Sequence, residues 1–297
     1  MSTRIYRLLF WILAVIGRPV GGIPPRRIAH WLAVKGYGGD RPEQKDSRWI
    51  RSRDDLEFLL HPHYVTDVDV IAFGSYEPGV QKYVDAALKP GMICLDVGAN
   101  CGLVGLHMAR KVGPTGKVYA FEPVPHVFGR LKANVQRNHL EAIVEPRLCA
   151  ISSTSGKALM NVPDEHQRNQ GLGLLVPAGI NGRRHELEVE CSSLDDFVAR
   201  EGLTHLDFIK IDVQGAETLV LQGGKSSLER FSPEIVTELS QGLSPLGKSS
   251  KDTIRQLEDG GYEVFELTEK GKRGRLLASA TIPSDFSASA VLCRRST

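Results

Sequence analysis

The chain reads as an α/β protein: a mostly parallel sheet flanked by helices, closed by a C-terminal antiparallel hairpin and preceded by a helical N-terminal extension. Three observations predict this. From Met92 onward, short apolar runs of strand length alternate with stretches of helical spacing. The run Met92–Val97 is apolar at all but one position and Leu206–Val213 is apolar apart from Asp207, Lys210 and Asp212, as suits strands buried on both faces. The last two runs, Glu263–Leu267 and Ala288–Cys293, have no helical pattern between them, which points to an antiparallel closure.

At 297 residues the chain has ample length for a buried core, and 41% hydrophobic with 24% charged residues is ordinary for a soluble globular protein. A net charge of +2 argues against a dedicated nucleic-acid binder. Its distribution is uneven. Residues 1–53 carry 11 Lys/Arg against 3 Asp/Glu, whereas the remainder carries 26 against 32. Trp11, Trp31 and Trp49, the only tryptophans, all fall in the basic segment. A basic, Trp-containing extension over 1–53 is therefore expected ahead of a main domain over 54–297.

Within the extension, Leu8–Gly17 is an uncharged apolar run of ten residues between Arg7 and Arg18. About twenty such residues are needed to span a bilayer, so this run is too short to cross alone. No A-x-A-like cleavage site follows, which argues against an export signal. Flanking arginines with Phe10 and Trp11 suit a helix lying in a membrane interface; a helix packed on the main domain is the alternative. The expected location is the cytoplasm, with peripheral contact to the inner face of the membrane through residues 1–35. Cys94, Cys101, Cys149, Cys191 and Cys293 form no CxxC pair and read as reduced core thiols.

Along the main domain, Gly36–Asp46 is a polar loop, and His63–Thr66 and Val68–Phe73 read as short strands. Helical spacing over Val80–Leu88 stops at Lys89-Pro90-Gly91. Strand Met92–Val97, helix Leu103–Val112, strand Lys117–Phe121, helix Val127–Asn138 and strand Ile143–Ile151 follow. A hairpin-like excursion comes next, with polar loops at Pro163–Gly173 and Gly179–Arg184. The order then resumes with helix Leu194–Glu201, strand Leu206–Val213 and helices Ala216–Leu221 and Lys225–Phe231. Strand Glu234–Leu239, helix Asp252–Asp259 and the two closing strands complete it, with Thr268–Ser287 read as a loop.

In an open parallel sheet, ligands bind outside the carboxyl ends of the strands, where strand order reverses. Asp96-Val97-Gly98-Ala99-Asn100-Cys101-Gly102 ends the first such strand. Gly98 and Gly102 permit a tight turn and close approach to a ligand. The helix that follows would aim its amides at an anionic group, and Asp96 can attract an ammonium. A methionine-type moiety carries both charges. Glu122 ends the next strand, twenty-four residues past Gly98, where a carboxylate can accept from both hydroxyls of a ribose. In Lys210-Ile211-Asp212-Val213-Gln214-Gly215, two charges interrupt an apolar strand and share one side of it. A structural pair with Glu238 of the next strand would explain Lys210. Asp212 is better explained by a place in the site.

DVGANCG (Asp96–Gly102), GKVYAFEP (Gly116–Pro123), KIDVQGAE (Lys210–Glu217) and PEIVTEL (Pro233–Leu239) together resemble the FkbM family of S-adenosylmethionine-dependent methyltransferases. The upstream Tyr76-Glu77, ahead of a helix and KPGMICLDVGAN, is similar to that family too, so the likeness spans roughly Gly74 to Cys293. It implies a class I methyltransferase (Rossmann-like) fold, S-adenosyl-L-methionine as cofactor, and cofactor contacts at Asp96, Gly98, Asn100, Gly102 and Glu122. It further implies methylation of a hydroxyl on a sugar, glycan or polyketide-like small molecule. One position departs: the family usually has Glu where this chain has Gln214, and Glu217 nearby is a candidate to compensate.

Such a reaction needs alignment of the acceptor oxygen and a base for its proton. Asp212 is the first candidate base and Glu77 the second. His61, His63, His107 and His166 read better as exposed or core-satisfied histidines. No metal ligand set is expected.

Three rival readings compete with this one. A dinucleotide-binding oxidoreductase wants G-x-G-x-x-G, but Asn100 and Leu103 stand at the later glycine positions. Gly242–Ser249 matches the phosphate-loop pattern G-x-x-x-x-G-K-[ST], yet only 48 residues follow it. A non-catalytic, membrane-associated protein on a methyltransferase fold is the third. The acceptor pocket is expected from Arg53–Tyr76, Asn161–Arg184 and Thr268–Ser287, with Arg168, Arg183 and Arg184 as candidate contacts. The oligomeric state is left open.

Overall fold

The computed structural model of the chain describes residues 2–17, 26–37, 46–162, 174–175, 185–239, 248–283 and 285–295. The chain opens with helices α1 (Thr3–Gly17) and α2 (Arg26–Tyr37), strands β1 (Arg48–Arg51) and β2 (Glu57–Leu60), and helices α3 (Val65–Phe73) and α4 (Pro78–Ala87). Then come β3 (Ile93–Val97), α5 (Gly105–Val112), β4 (Lys117–Phe121), α6 (Pro125–Arg137) and β5 (Val144–Arg147). Four strands follow: β6 (Ala150–Ser152), β7 (Gly156–Val162), β8 (Leu174–Leu175) and β9 (His185–Ser193). After them lie α7 (Leu194–Arg200), β10 (Phe208–Ile211), α8 (Glu217–Gly223), α9 (Lys225–Phe231) and β11 (Glu234–Leu239). The last elements are α10 (Ser250–Asp259), β12 (Tyr262–Leu267), β13 (Arg273–Leu277) and β14 (Ala288–Arg295).

The central sheet has eight strands in the order β5-β4-β3-β10-β11-β14-β12-β13. β5, β4, β3, β10 and β11 pair in parallel, while β14 runs antiparallel to both neighbours and β13 antiparallel to β12. The chain enters mid-sheet at β3, winds outward through β4 to β5, and returns to lay β10 on the other side of β3. The helices follow that reversal. Side chains of α4, α5 and α6 share one core with Cys94, Phe208 and Val236. Those of α7, α8 and α10 share the opposite core with Leu95, Ile209 and Ile235. The switch point thus lies between β3 and β10, and the crevice outside their carboxyl ends is where such folds bind ligands. A smaller sheet, β6-β9-β7-β8, carries the excursion.

The alternating elements from Met92 to Leu267 lie where the apolar pattern puts them, and the class I arrangement is present. The differences have physical causes. Residues 65–73 form α3, not a strand. This helix buries Asp67, Val68, Asp69, Val70, Ile71 and Ala72, so no polar stripe betrays its period, and its Val and Ile residues imitate a strand. Its acids are partnered: Asp67 accepts from the His61 N–H at 2.8 Å and from the Arg130 guanidinium, and Asp69 meets His30 at 2.9 Å. The run Ile143–Ile151 divides between β5 and β6, which belong to different sheets. Thr268–Ser287 is not all loop, since β13 lies within it, and β14 inserts between β11 and β12 instead of ending the sheet.

The boundary expected between residues 53 and 54 falls inside the turn of the β1–β2 hairpin. Helices α1 and α2 pack on each other and on α3, and Phe10, Ala29, Leu32 and Ala33 join the core shared with the sheet. Trp11 Nε1 donates to Tyr37 Oη at 2.9 Å, and Arg7 Nε to the Gly36 carbonyl at 2.8 Å. Among the described residues, no helix is long and apolar enough to cross a membrane. All five cysteines are free thiols.

Candidate active site

At the end of β3 the chain bends through a turn in which Gly98 (φ 81°), Asn100 (φ 51°) and Gly102 (φ 91°) are all left-handed. Glycine is required at 98 for a second reason. A Cβ there would lie 1.9 Å from the Asp212 carbonyl oxygen, because this turn and the loop after β10 touch at the switch point. The turn satisfies its own amides. Gly98 and Ala99 N–H donate to the Phe121 carbonyl (3.1 and 2.9 Å), Cys101 N–H to Asn100 Oδ1 (2.7 Å) and Gly102 N–H to the Ala99 carbonyl (2.8 Å). What it offers a ligand is a close, shaped backbone rather than a nest of free donors.

Glu122 locks this turn to the end of β4. Its Oε2 accepts from Asn100 N–H at 3.0 Å and its Oε1 from Val124 N–H at 2.9 Å. Burial pushes its carboxyl up to about 7, with those two N–H groups pulling the other way. Each oxygen retains acceptor capacity beyond the one bond it makes. Asp96 lies deeper, fully buried beneath Gly105, the first residue of α5, whose backbone N–H and the Lys210 ammonium are the groups that favour its charge. Burial raises its carboxyl, and Lys210, 3.7 Å away, opposes the rise.

Register explains the next cluster. Lys210 stands beside Asp96 on β3 and beside Val236 on β11, so with a period of two Asp212 and Glu238 project from the same face, one step nearer the crevice. Lys210 therefore pairs with Asp96 and Asp212 (3.3 Å), not with Glu238 as the sequence suggested. Glu238 meets Gln214 instead, whose Nε2 donates to Asp212 Oδ1 at 2.6 Å and to Glu238 Oε2 at 3.0 Å. Burial works against ionisation at Asp212, but Lys210, Gln214 and Glu238 outweigh it and hold the carboxyl low. Glu238 goes the other way, raised by burial and by the neighbouring Asp212 charge. Two carboxyls this close divide into one ionised and one inclined to keep its proton.

Glu77 faces the pair from the N-terminus of α4, lining one hollow with Lys210, Asp212, Thr237 and Glu238. It adopts a left-handed backbone (φ 44°) directly before Pro78, where both the side chain and the proline ring disfavour helical geometry. Of the six described non-glycine residues with positive φ, three (Glu77, Asn100 and Gln214) border this crevice. Strain of this kind persists where surrounding structure holds a functional geometry. The Tyr76 hydroxyl is raised well above its ordinary value by burial and by the charges of Glu77, Asp212 and Glu238, so it stays a neutral donor. Sequence reasoning missed Tyr76 and Glu238 as site residues. The only signal was their presence in the Tyr76-Glu77 and PEIVTEL motifs.

Other candidates lie elsewhere. Glu217 is buried and accepts from Gly215 N–H at 3.0 Å, holding the turn into α8, so it does not stand in for a glutamate at 214. His61 and His63 are buried, with His61 Nδ1 accepting from His63 N–H and His63 Nδ1 meeting the Tyr37 carbonyl. His107 is buried on α5 between Asp54 and Asp85. His166, Arg168, Arg183 and Arg184 fall outside the described residues. So does 240–247, but the end of the phosphate-loop-like string has another use. Ser249 caps α10, its side chain accepting from Asp252 N–H while the Asp252 carboxylate accepts from Ser249 N–H at 2.9 Å. Lys248→Ala should accordingly leave S-adenosylhomocysteine affinity and turnover unchanged; a loss of either by tenfold would revive the phosphate-loop reading.

A family model described as the methyltransferase FkbM domain matches residues 96–264, from the acid at the end of β3 to mid-β12. The chain belongs to the FkbM methyltransferase family. It is 31% identical over 204 residues to the 31-O-demethyl-FK506 methyltransferase FkbM of Streptomyces tacrolimicus, covering 60% of this chain and 75% of that protein. It is 28% identical over 215 residues to methyltransferase sdnD of Sordaria araneosa, covering 61% and 78%. With the 2-O-methyltransferase NoeI of Sinorhizobium fredii the figures are 28% over 186 residues, covering 56% and 72%. This FkbM-family chain is thus an S-adenosylmethionine-dependent methyltransferase, and its oxidoreductase and non-catalytic alternatives find no support. The residues fit that cofactor. Glu122 has unused lone pairs beside the close-approach turn, and a carboxylate-rich hollow suits a molecule bearing a sulfonium and an ammonium.

Proposed function

We propose that this enzyme methylates a hydroxyl on a small acceptor, a sugar, glycan or polyketide-like molecule. Two of the relatives carry oxygen methylation in their names. The observation that carries the reading is the cluster at the switch point in which Lys210 pairs with Asp212 and the Gln214 amide bridges Asp212 and Glu238, facing Glu77 across one hollow.

In this reading Glu122 accepts from the ribose hydroxyls, and the turn from Gly98 through Asn100 to Gly102 fits closely against the cofactor. Asp96 acts through Lys210, as the counter-charge that keeps Asp212 placed. The cofactor supplies an already activated methyl group, so the chain need only align the acceptor oxygen and take its proton. Asp212 accepts a hydrogen bond from the acceptor hydroxyl and orients it. Its lowered carboxyl makes it a dependable acceptor but a weak base. Glu238, raised and joined to Asp212 by the two hydrogen bonds of the Gln214 amide, is the stronger base once ionised, and Glu77 closes the opposite wall. The apolar outer side of the N-terminal helices supports peripheral contact with the inner face of a membrane through residues 1–35.

Titration of the protein with S-adenosylhomocysteine and with NAD tests the cofactor site; heat with NAD alone would sink the proposal. Labelling a cell extract with methyl-labelled S-adenosylmethionine then identifies the acceptor by the oxygen that gains the label. Asp212→Asn should lower kcat by about a hundredfold, as misplacing the reacting hydroxyl does, and change S-adenosylhomocysteine affinity far less. An equal collapse of affinity would move Asp212 from the acceptor to the cofactor. The pH dependence has a definite sign. A carboxyl raised in the folded protein cannot accept a proton until pH exceeds its pKa, so kcat/KM should rise from neutral into mildly alkaline solution. Glu238→Gln should flatten that rise, and a wild-type profile already flat across this range would count against Glu238 as base.

A further inference from the structure

The two N-terminal helices bury one side and leave the other side apolar in solvent. On α1, Phe10 and Ala14 face the core, whereas Ile5, Leu8, Leu9 and Ile12, at spacings of three, four and seven, are 43, 60, 37 and 43% exposed. On α2, Ala29, Leu32 and Ala33 are buried, and Ile28, Trp31 and Val34 are 44, 49 and 48% exposed. Tyr6 of α1 stands edge-on to Trp31 of α2 at 5.4 Å, which joins the two stripes into one patch. Of the ten large hydrophobic residues exposed among the described residues, seven lie here. Scattered apolar residues are ordinary on a surface; a contiguous patch marks an interface.

We propose that this face lies on an anionic bilayer surface, both helices flat in the headgroup region. The proposal deepens the peripheral-contact reading of residues 1–35 and is independent of the acceptor chemistry. Charge selects the occupant. Neither helix contains an Asp or Glu, and exposed Arg4, Arg27 and Lys35 border the patch. A second copy of the chain would set this cationic rim against its own kind, whereas anionic lipid supplies the missing counter-charge. At 15 residues α1 is too short to span, so it must lie in the plane. The contact has consequences for the crevice. α2 is tied to α3 through His30 and Asp69, and α3 ends four residues before Glu77, so a docked patch holds the hollow at a set attitude to the membrane.

Co-sedimentation of the full chain with phosphatidylcholine vesicles, with and without phosphatidylglycerol, tests this. Three basic residues predict partition into the anionic vesicles on the order of a hundredfold stronger at low salt. That preference should shrink in high salt. Leu8→Gln combined with Val34→Gln, both at exposed positions, should weaken binding by about tenfold or more. S-adenosylhomocysteine affinity and thermal unfolding, measured on the same variant, should not move, which separates lost docking from lost fold and from any failure of the methyl-transfer reading. Equal, weak sedimentation with both vesicle types would overturn the proposal. So would light scattering that shows a dimer dissolved by the double variant, for the face would then be a contact between copies.

Discussion

Replacing Gly98 with alanine is expected to cost about 3 kcal/mol of folding stability or more and to abolish cofactor binding. Two penalties coincide at this residue. Its φ of 81° lies in the region that L side chains avoid, and the added methyl would sit 1.9 Å from the Asp212 carbonyl oxygen. That oxygen is backbone and cannot swing aside. The loop after β10 must therefore retreat from the turn after β3, which pulls apart the two halves of the crevice. Gly129 in α6 is the matched control. It is exposed, and a Cβ there meets nothing within 4 Å. Gly129→Ala should stabilise the protein by roughly 0.5–1 kcal/mol through helix propensity alone. Urea unfolding followed by titration with S-adenosylhomocysteine measures both; Gly98→Ala with near-normal stability and affinity would refute the geometry of the switch point.

Lys210→Met should be comparably severe, at about 3–5 kcal/mol, because it strands buried carboxylates. Lys210 is itself buried and is the cation within reach of both Asp96 and Asp212. Without it, burial drives both carboxyls upward in the folded state only. Acids raised in the folded state penalise stability increasingly as pH climbs from their unfolded values through their folded ones. The variant should thus fall furthest below wild type at alkaline pH and approach it in acid, where the carboxyls accept protons. Asp96→Asn added to Lys210→Met should recover part of the loss. A deficit independent of pH would mean that Lys210 contributes packing and not charge.

The departure at Gln214 takes on meaning beside these numbers. A glutamate there would place a third carboxylate against Asp212 and Glu238, whereas the amide donates to both. The substitution keeps the cluster's geometry and removes one charge from it. The sequence flagged position 214 as unusual but could not say whether the amide faced the site, since that depends on the loop's left-handed backbone.

Much of the fold was legible because buried strands announce themselves. Residues 93–97, 117–121 and 208–211 are apolar at all but one position each, and Gly98, Glu122 and Asp212 follow them directly. The positions of Asp96, Glu122 and Asp212 at strand ends followed directly. What failed was reading elements whose surroundings hide their period. α3 is mostly buried and its acids are partnered by Arg130 and His30 from distant segments, which no local pattern reveals. β13 is a mostly exposed edge strand that opens Arg273-Gly274-Arg275, so it lacks apolar alternation.

By itself, the order of residues determined an α/β sheet, a glycine bend followed by a ribose-spaced acid, and a family-level chemistry, all of which rest on local periodicity and short-range motifs. Only the tertiary structure decided which charges meet. Parallel register set Lys210 beside Asp96 and left Glu238 to Gln214, and helix packing turned half of the N-terminal apolar run inward and half outward. Both outcomes depend on contacts between residues dozens to more than a hundred positions apart, where burial and the need to partner each charge select a single arrangement from many that the local sequence allows.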